Sequence, residues 1–336
     1  MTVIVRAVLG DRVLLVVDRK ITQQFSDGTF QAVDNDSNKV LVVQSLNALM
    51  LVAYTGVAVT HQKWMDHKLA ELLTHQELGP VLAQPGAPML ARNRHEIIRE
   101  LVLNLNGQLN SDPRIKSDRL RVVISGIEFR SRCLPFSCVL ARDIKSGYPE
   151  SISGAKGNLY FSLNYEKLPK YCAELQIDTY GDDGGGSGIK QLIRTEIEKV
   201  FAREWSYDSI ERALVSTVRE WSKRTETVSP ECTAIQCSPF SESGDHIKST
   251  FYPIGDEKTK YPFFYPWVLT PRLISAPTIT TSSTMSVSNC RRYSIGGFTD
   301  GNTNLTVQTR IPIEYKQSTQ GVVSYKFFER PKVPGS

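Results

Sequence analysis

Thr2-Val-Ile-Val-Arg-Ala-Val-Leu-Gly-Asp-Arg-Val-Leu-Leu-Val-Val-Asp18 is the stretch that decides the fold. Residues 2–8 and 12–18 are rich in β-branched side chains, and Gly10-Asp11 between them is turn chemistry, so the spacing predicts a β-hairpin. The second arm is almost wholly apolar, as in a strand covered on both faces. A polar stretch from Gln23 to Asn38 reads as a loop. Lys39–Ser45 and Leu49–Tyr54 then read as two further strands, joined near Asn47.

Beyond these strands, Gly56 opens a stretch in which Trp64, Leu69, Leu72 and Leu73 share one side of a helix. Pro80–Pro88 reads as a linker. Arg92–Leu105 reads as a second helix, with Ile97, Ile98, Leu101 and Leu105 inward. Leu120–Ile127, Ser137–Asp143, Asn158–Leu163 and Glu174–Tyr180 read as strands. After the glycine run Gly184–Gly188 come helices at Ile189–Arg203 and Ser209–Arg224, the second capped by Asp208, and then a strand at Thr233–Cys237. Paired helices between groups of strands point to an α+β chain, a layered sandwich of antiparallel sheets rather than a doubly wound parallel sheet.

Residues 1–237 are expected to form one domain and 238–336 a β-rich extension. The extension holds nine of the 17 prolines and 14 of the 30 Phe, Tyr and Trp, with Tyr261–Trp267 the densest cluster. That aromatic content predicts packing, either against another subunit or as a small β subdomain of the same chain.

Composition removes several classes. At 40% hydrophobic and 22% charged the 336-residue chain is globular, and no apolar run reaches the ~18 residues of a membrane helix. The start MTVIVRAVLGDR has no basic leader and carries Arg6, Asp11 and Arg12, so no signal peptide is expected. A net charge of +5 with no block of like charges predicts no nucleic-acid partner. Six cysteines without a CxxC pair, and five histidines without HExxH, predict reduced thiols in a cytoplasmic protein, with no metal and no cofactor. The run Gly181–Lys190 lacks the Lys-Ser/Thr ending of a phosphate loop. It also fails as GxGxxG at Ile189, and no GxSxG elbow occurs. The Asn304-Leu-Thr306 sequon would matter only in a secreted protein.

The candidate chemistry sits at the start of the chain. Removal of Met1 is favoured by the small Thr2 and would put a hydroxyl and a free α-amine on one residue. An α-amine titrates at about 7.7–8.0 and can take the hydroxyl proton near neutral pH. Asp18 ends the second arm of the hairpin near the level where the first begins, and Lys39 opens a strand that could return to the same end. Asp18 could instead form a solvated bridge with Arg19 or Arg6. A carboxylate bordering an apolar strand needs a partner, and Lys39 is the candidate.

These features resemble the β subunits of the proteasome, a family of N-terminal nucleophile hydrolases. The residues that carry the resemblance are Thr2, the strand–turn–strand Val3–Val17, Asp18-Arg19, Lys39 and the small segment Tyr54–Ala58. It extends over about residues 2–237. The family has an acid sixteen positions after its nucleophile, as Asp18 follows Thr2. The resemblance implies a four-layer αββα sandwich and peptide or amide hydrolysis by Thr2, with Lys39 held by Asp18. It also implies an oxyanion donor in the small segment: Gly56, with Tyr54 or Thr55 as alternatives. Ser187 corresponds to a family serine in a glycine-rich segment, or serves a turn or helix cap. Glu226 and Ser229 correspond to a later acid–serine pair, with Pro230 and Glu231 departing from the family pattern. The resemblance further implies a homo-oligomer, as a ring around a chamber, which the extension could cement or obstruct. A small-molecule amidase and a non-catalytic assembly subunit are the rival readings, and no ATPase partner is indicated.

Overall fold

Val3–Leu9 (β1) and Arg12–Asp18 (β2) pair antiparallel, Ile4 opposite Val17, across a turn in which Gly10 takes a φ of 63°. That left-handed conformation is one glycine adopts without steric cost. The hairpin is the first element of a computed structural model that describes residues 2–24, 29–34, 37–60, 63–79, 83–109, 120–129, 133–142, 161–165, 175–181, 187–203, 206–239, 247–252, 263–280, 293–295 and 305–307.

The chain continues through β3 (Ile21–Gln24), β4 (Phe30–Asp34), β5 (Val40–Gln44), β6 (Ala48–Thr55), β7 (Val59–Thr60), β8 (Lys63–Trp64), α1 (Met65–Thr74), β9 (Ala83–Pro85) and α2 (Arg94–Leu109). Then come β10 (Arg121–Phe129), β11 (Cys133–Arg142), β12 (Phe161–Tyr165), β13 (Leu175–Gly181), α3 (Ser187–Phe201), α4 (Tyr207–Ser222), β14 (Cys232–Cys237) and β15 (Ile247–Tyr252). Short strands follow: β16 (Phe263–Tyr265), β17 (Trp267–Leu269), β18 (Leu273–Ser275), β19 (Thr278–Thr280), β20 (Tyr293–Ile295) and β21 (Leu305–Val307). A five-stranded sheet runs β13-β1-β2-β14-β15, and an eight-stranded sheet runs β12-β11-β10-β6-β5-β17-β18-β9.

Strand periodicity distributes the core. Along β1, Val3, Val5 and Ala7 meet Ile189, Leu214 and Val218 of α3 and α4, while Ile4 and Val8 meet Val42, Leu51 and Val123 of the eight-stranded sheet. Along β6, Met50, Val52 and Tyr54 join Leu69, Leu73, Ile98 and Leu101 of α1 and α2, while Leu49, Leu51 and Ala53 join the cluster shared with the five-stranded sheet. Both strands are buried on both faces, which explains their unbroken apolar character. Each such Val, Ile or Leu contributes about 1.5–3 kcal/mol by leaving water.

Several expectations need correction. The polar stretch from Gln23 is not simply a loop: it takes part in the hairpin β3–β4, Thr22 pairing with Ala32 and Gln23 with Gln31. Gly56 does not open a helix: β7 and β8 pair first, and α1 starts at Met65. Three residues of the linker, Ala83–Pro85, form an edge strand, where proline costs no ladder bond. The cap of α4 is Ser206, whose hydroxyl accepts from Ser209 N, rather than Asp208. The eight-stranded sheet is not wholly antiparallel, since β17 pairs parallel with β5, Val268 opposite Val42. Strands from beyond residue 237 therefore lie in both sheets: β15 beside β14, β17 beside β5, and β18 between β17 and β9. The expected strand at Asn158–Leu163 is described only from Phe161, and most of Gly184–Gly188 lies outside the described residues.

Candidate active site

β1 begins immediately after Thr2 and is held on both sides, with Ile4 opposite Val17 of β2 and Val3 opposite Gly181 of β13. Thr2 thus stands at the end of a rigid strand, 5% exposed. The hairpin brings Asp18 back to the same level. Val3 N donates to Asp18 Oδ1 at 2.8 Å. The other carboxylate oxygen, Oδ2, accepts from Lys39 Nζ at 3.1 Å, Lys20 N at 3.1 Å and Ser229 N at 3.3 Å. Four donors thus surround a fully buried carboxylate.

Lys39 precedes β5 directly. The β3–β4 excursion returns to its starting point because Ser37 N donates to Arg19 O at 3.0 Å. The Lys39 side chain is 1% exposed, and its ammonium also donates to Lys20 O. Burial pushes the Lys39 pKa below its ordinary value, against the opposing pull of Asp18 and then Asp34, with Arg19 adding to the depression. Asp18 pairs with Lys39 rather than with Arg6, whose guanidinium bonds Ser137 Oγ and Asp178 Oδ2 elsewhere on β1.

Thr2, Lys39, Tyr54 and Gly56 line one small cavity together with Ile21, Thr22, Val57 and Ala58. Gly56 follows β6 with a φ of 99°, turning the chain sharply beside Thr2. Tyr54 is a wall residue whose hydroxyl is committed to Asn38 O at 3.2 Å. Thr2 and Lys39 share this cavity, and an ammonium–carboxylate couple that is already oriented lowers the cost of ionising a hydroxyl placed beside it.

The remaining sequence-level candidates divide. Ser229 arrives by its backbone: its N–H reaches Asp18, and its hydroxyl accepts from Glu231 N at 3.0 Å. Glu226 has an exposed side chain, and only its carbonyl joins the area, accepting from Lys20 Nζ at 2.6 Å. Ser187 opens α3, with its side chain outside the described residues. Cys232 lies opposite Asp18 in the sheet, but burial raises its thiol pKa far above the thiolate range, so it is no rival nucleophile.

Two neighbours escaped the sequence reading as contacts of Thr2. Thr55 Oγ1 donates to Thr2 O at 3.1 Å, and Gly181, with a φ of 101°, lies against the same carbonyl. A threonine closing a strand before glycine was the available signal for the first. For the second it was a lone glycine closing a strand. Among the described residues no three His, Cys, Asp or Glu side chains are grouped to hold a metal, and no helix is long and apolar enough to cross a membrane.

No protein-family model matches the sequence, and no curated protein matches it. Among solved structures it is similar to Anbu from Hyphomicrobium sp. strain MC1, with 12% identity over 76% of this chain and 89% of that chain, at a TM-score of 0.45. The Gly-1 mutant of that Anbu gives the same values, 12% identity, 76% and 89% coverage and a TM-score of 0.45. Nothing about chemistry follows from likeness at that level.

Proposed function

We propose that the chain is a threonine-type N-terminal nucleophile hydrolase on a proteasome-like αββα sandwich, cleaving peptide or amide bonds after loss of Met1. The observation that carries this reading is the buried Asp18 carboxylate, which joins Val3 N to Lys39 Nζ at 2.8 and 3.1 Å. In the proposed reaction the Thr2 hydroxyl oxygen attacks the scissile carbonyl carbon while its proton passes to the α-amine. The oxyanion is received by Gly56 N–H. The C–N bond then breaks, the leaving amine takes the proton from the α-ammonium, and an ester to Thr2 remains. Water, deprotonated by the α-amine, hydrolyses that ester and restores the hydroxyl. The lowered pKa of Lys39 suits a group that stabilises an alkoxide without holding its proton too tightly. Ser187, Glu226 and Ser229 are proposed to support the amine, Ser229 through the backbone bond to Asp18 described above. Assembly of identical copies belongs to the same reading, and native mass measurement reads it.

A threonine-directed electrophile such as an epoxyketone or a β-lactone tests the proposal, with the adduct mapped by peptide mass spectrometry. One adduct on Thr2, lost in Thr2→Ala, is expected. Met1 retained in the native protein, an adduct elsewhere, or equal labelling of Thr2→Ala would sink the reading.

A further inference from the structure

We propose that Thr55 is a positioning residue. Its hydroxyl ties the carbonyl of Thr2 to the segment that presents Gly56, so this inter-sheet hydrogen bond sets nucleophile and oxyanion donor in register. The inference rests on the hydrolase reading above and adds a residue to it. Thr2 O accepts from Thr55 Oγ1 at 3.1 Å, and Thr55 is 1% exposed. At the other end of the same peptide unit, Val3 N is held by Asp18 Oδ1 at 2.8 Å. The Thr2–Val3 peptide plane is thereby fixed at both its oxygen and its nitrogen.

The two partners belong to different sheets, Thr2 leading into β1 of the five-stranded sheet and Thr55 closing β6 of the eight-stranded one. The other contacts between the sheets are an apolar cluster, which holds separation better than register, and the polar pairs Lys39–Asp18 and Arg6–Ser137, neither of which joins the Thr2 carbonyl to the segment that carries Gly56. Thr55 itself is anchored, because β6 pairs with β5 on one side and with β10 on the other, where Thr55 faces Arg121. The next residue is Gly56, so a shift of Thr55 carries the proposed oxyanion donor with it. Gly181 closes the third side: a methyl group on it would stand 2.7 Å from Thr55 Oγ1.

A misplacement of about 1 Å between reacting groups costs on the order of a hundredfold in rate. Thr55→Val keeps shape and removes the hydroxyl, whereas Thr55→Ser keeps the hydroxyl. The expected result is acylation of Thr2 by the β-lactone slowed about a hundredfold in Thr55→Val. The kcat for an amide substrate falls in parallel with KM little changed, and Thr55→Ser retains most of the rate. Thr55→Ala repeats the comparison without the added methyl. Wild-type acylation rates in Thr55→Val would overturn the inference and leave the hydrolase reading standing. So would loss of fold in Thr55→Val and Thr55→Ala with Thr55→Ser folded, since the hydroxyl would then be structural. A wild-type protein without an adduct on Thr2 would overturn both.

Discussion

Asp18→Ala is expected to destabilise the protein by about 3–5 kcal/mol and to abolish acylation of Thr2. The replacement leaves the Lys39 ammonium buried, with only Lys20 O among its named partners, and strips three backbone N–H groups, of Val3, Lys20 and Ser229, of their acceptor. An unpaired buried charge is the costliest of these. The double variant Asp18→Asn with Lys39→Met separates stability from chemistry. Asparagine keeps an oxygen for Val3 N, and methionine fills the lysine's volume without a charge. Chemical denaturation should show most of the lost stability restored in the double variant, while acylation stays slower by about 10²–10⁴-fold. Full recovery of acylation there would exclude the couple from the reaction.

The same pair has a pH signature. Burial lowers the Lys39 pKa below 10.5 in the folded state, so between the two values the unfolded chain holds more protons. Stability from this group is therefore present above 10.5 and lost as pH falls through the lowered folded value. Lys39→Met should flatten that part of the stability–pH curve.

The hairpin was legible because its pattern is local: seventeen residues carry both arms, the turn and the acid that ends them. Asp18 and Lys39 followed, since an apolar strand ending in a carboxylate demands a partner and the next strongly apolar run, Val40–Val43, is led by a lysine. What sequence could not supply was the depth of contacts made across chain distance. Ser229 reaches Asp18 over 211 positions through a backbone N–H, which any residue type would provide. The parallel pairing of β17 with β5 brings together segments more than 200 residues apart whose short apolar runs fit many partners. The cap of α4 was misread by two positions because Asp208 and Ser206 are both good capping residues, and only geometry separates them.

Gly181→Ala is expected to lose both stability and activity, by a route unlike that of the Asp18 variants. Gly181 has a φ of 101°, outside the range that side-chain-bearing residues adopt readily, which alone costs about 1–3 kcal/mol. An added Cβ would also stand 1.8 Å from Thr2 O and 2.9 Å from Thr2 C. Both are backbone atoms of the residue that leads directly into a paired strand, so no flexible side chain can swing aside. The clash is relieved only by pushing Thr2 away from β13 at the Val3–Gly181 pair, which breaks the bond from Thr55 and moves the proposed nucleophile. Gly79→Ala is the matched control, because a Cβ there meets nothing within 4 Å. Thermal unfolding should place Gly181→Ala well below both wild type and Gly79→Ala, and its surviving folded fraction should not be acylated at Thr2. Equal melting temperatures for the two alanine variants would mean that the Thr2 carbonyl does not sit against Gly181, and with it would go the close approach on which the register of the site depends.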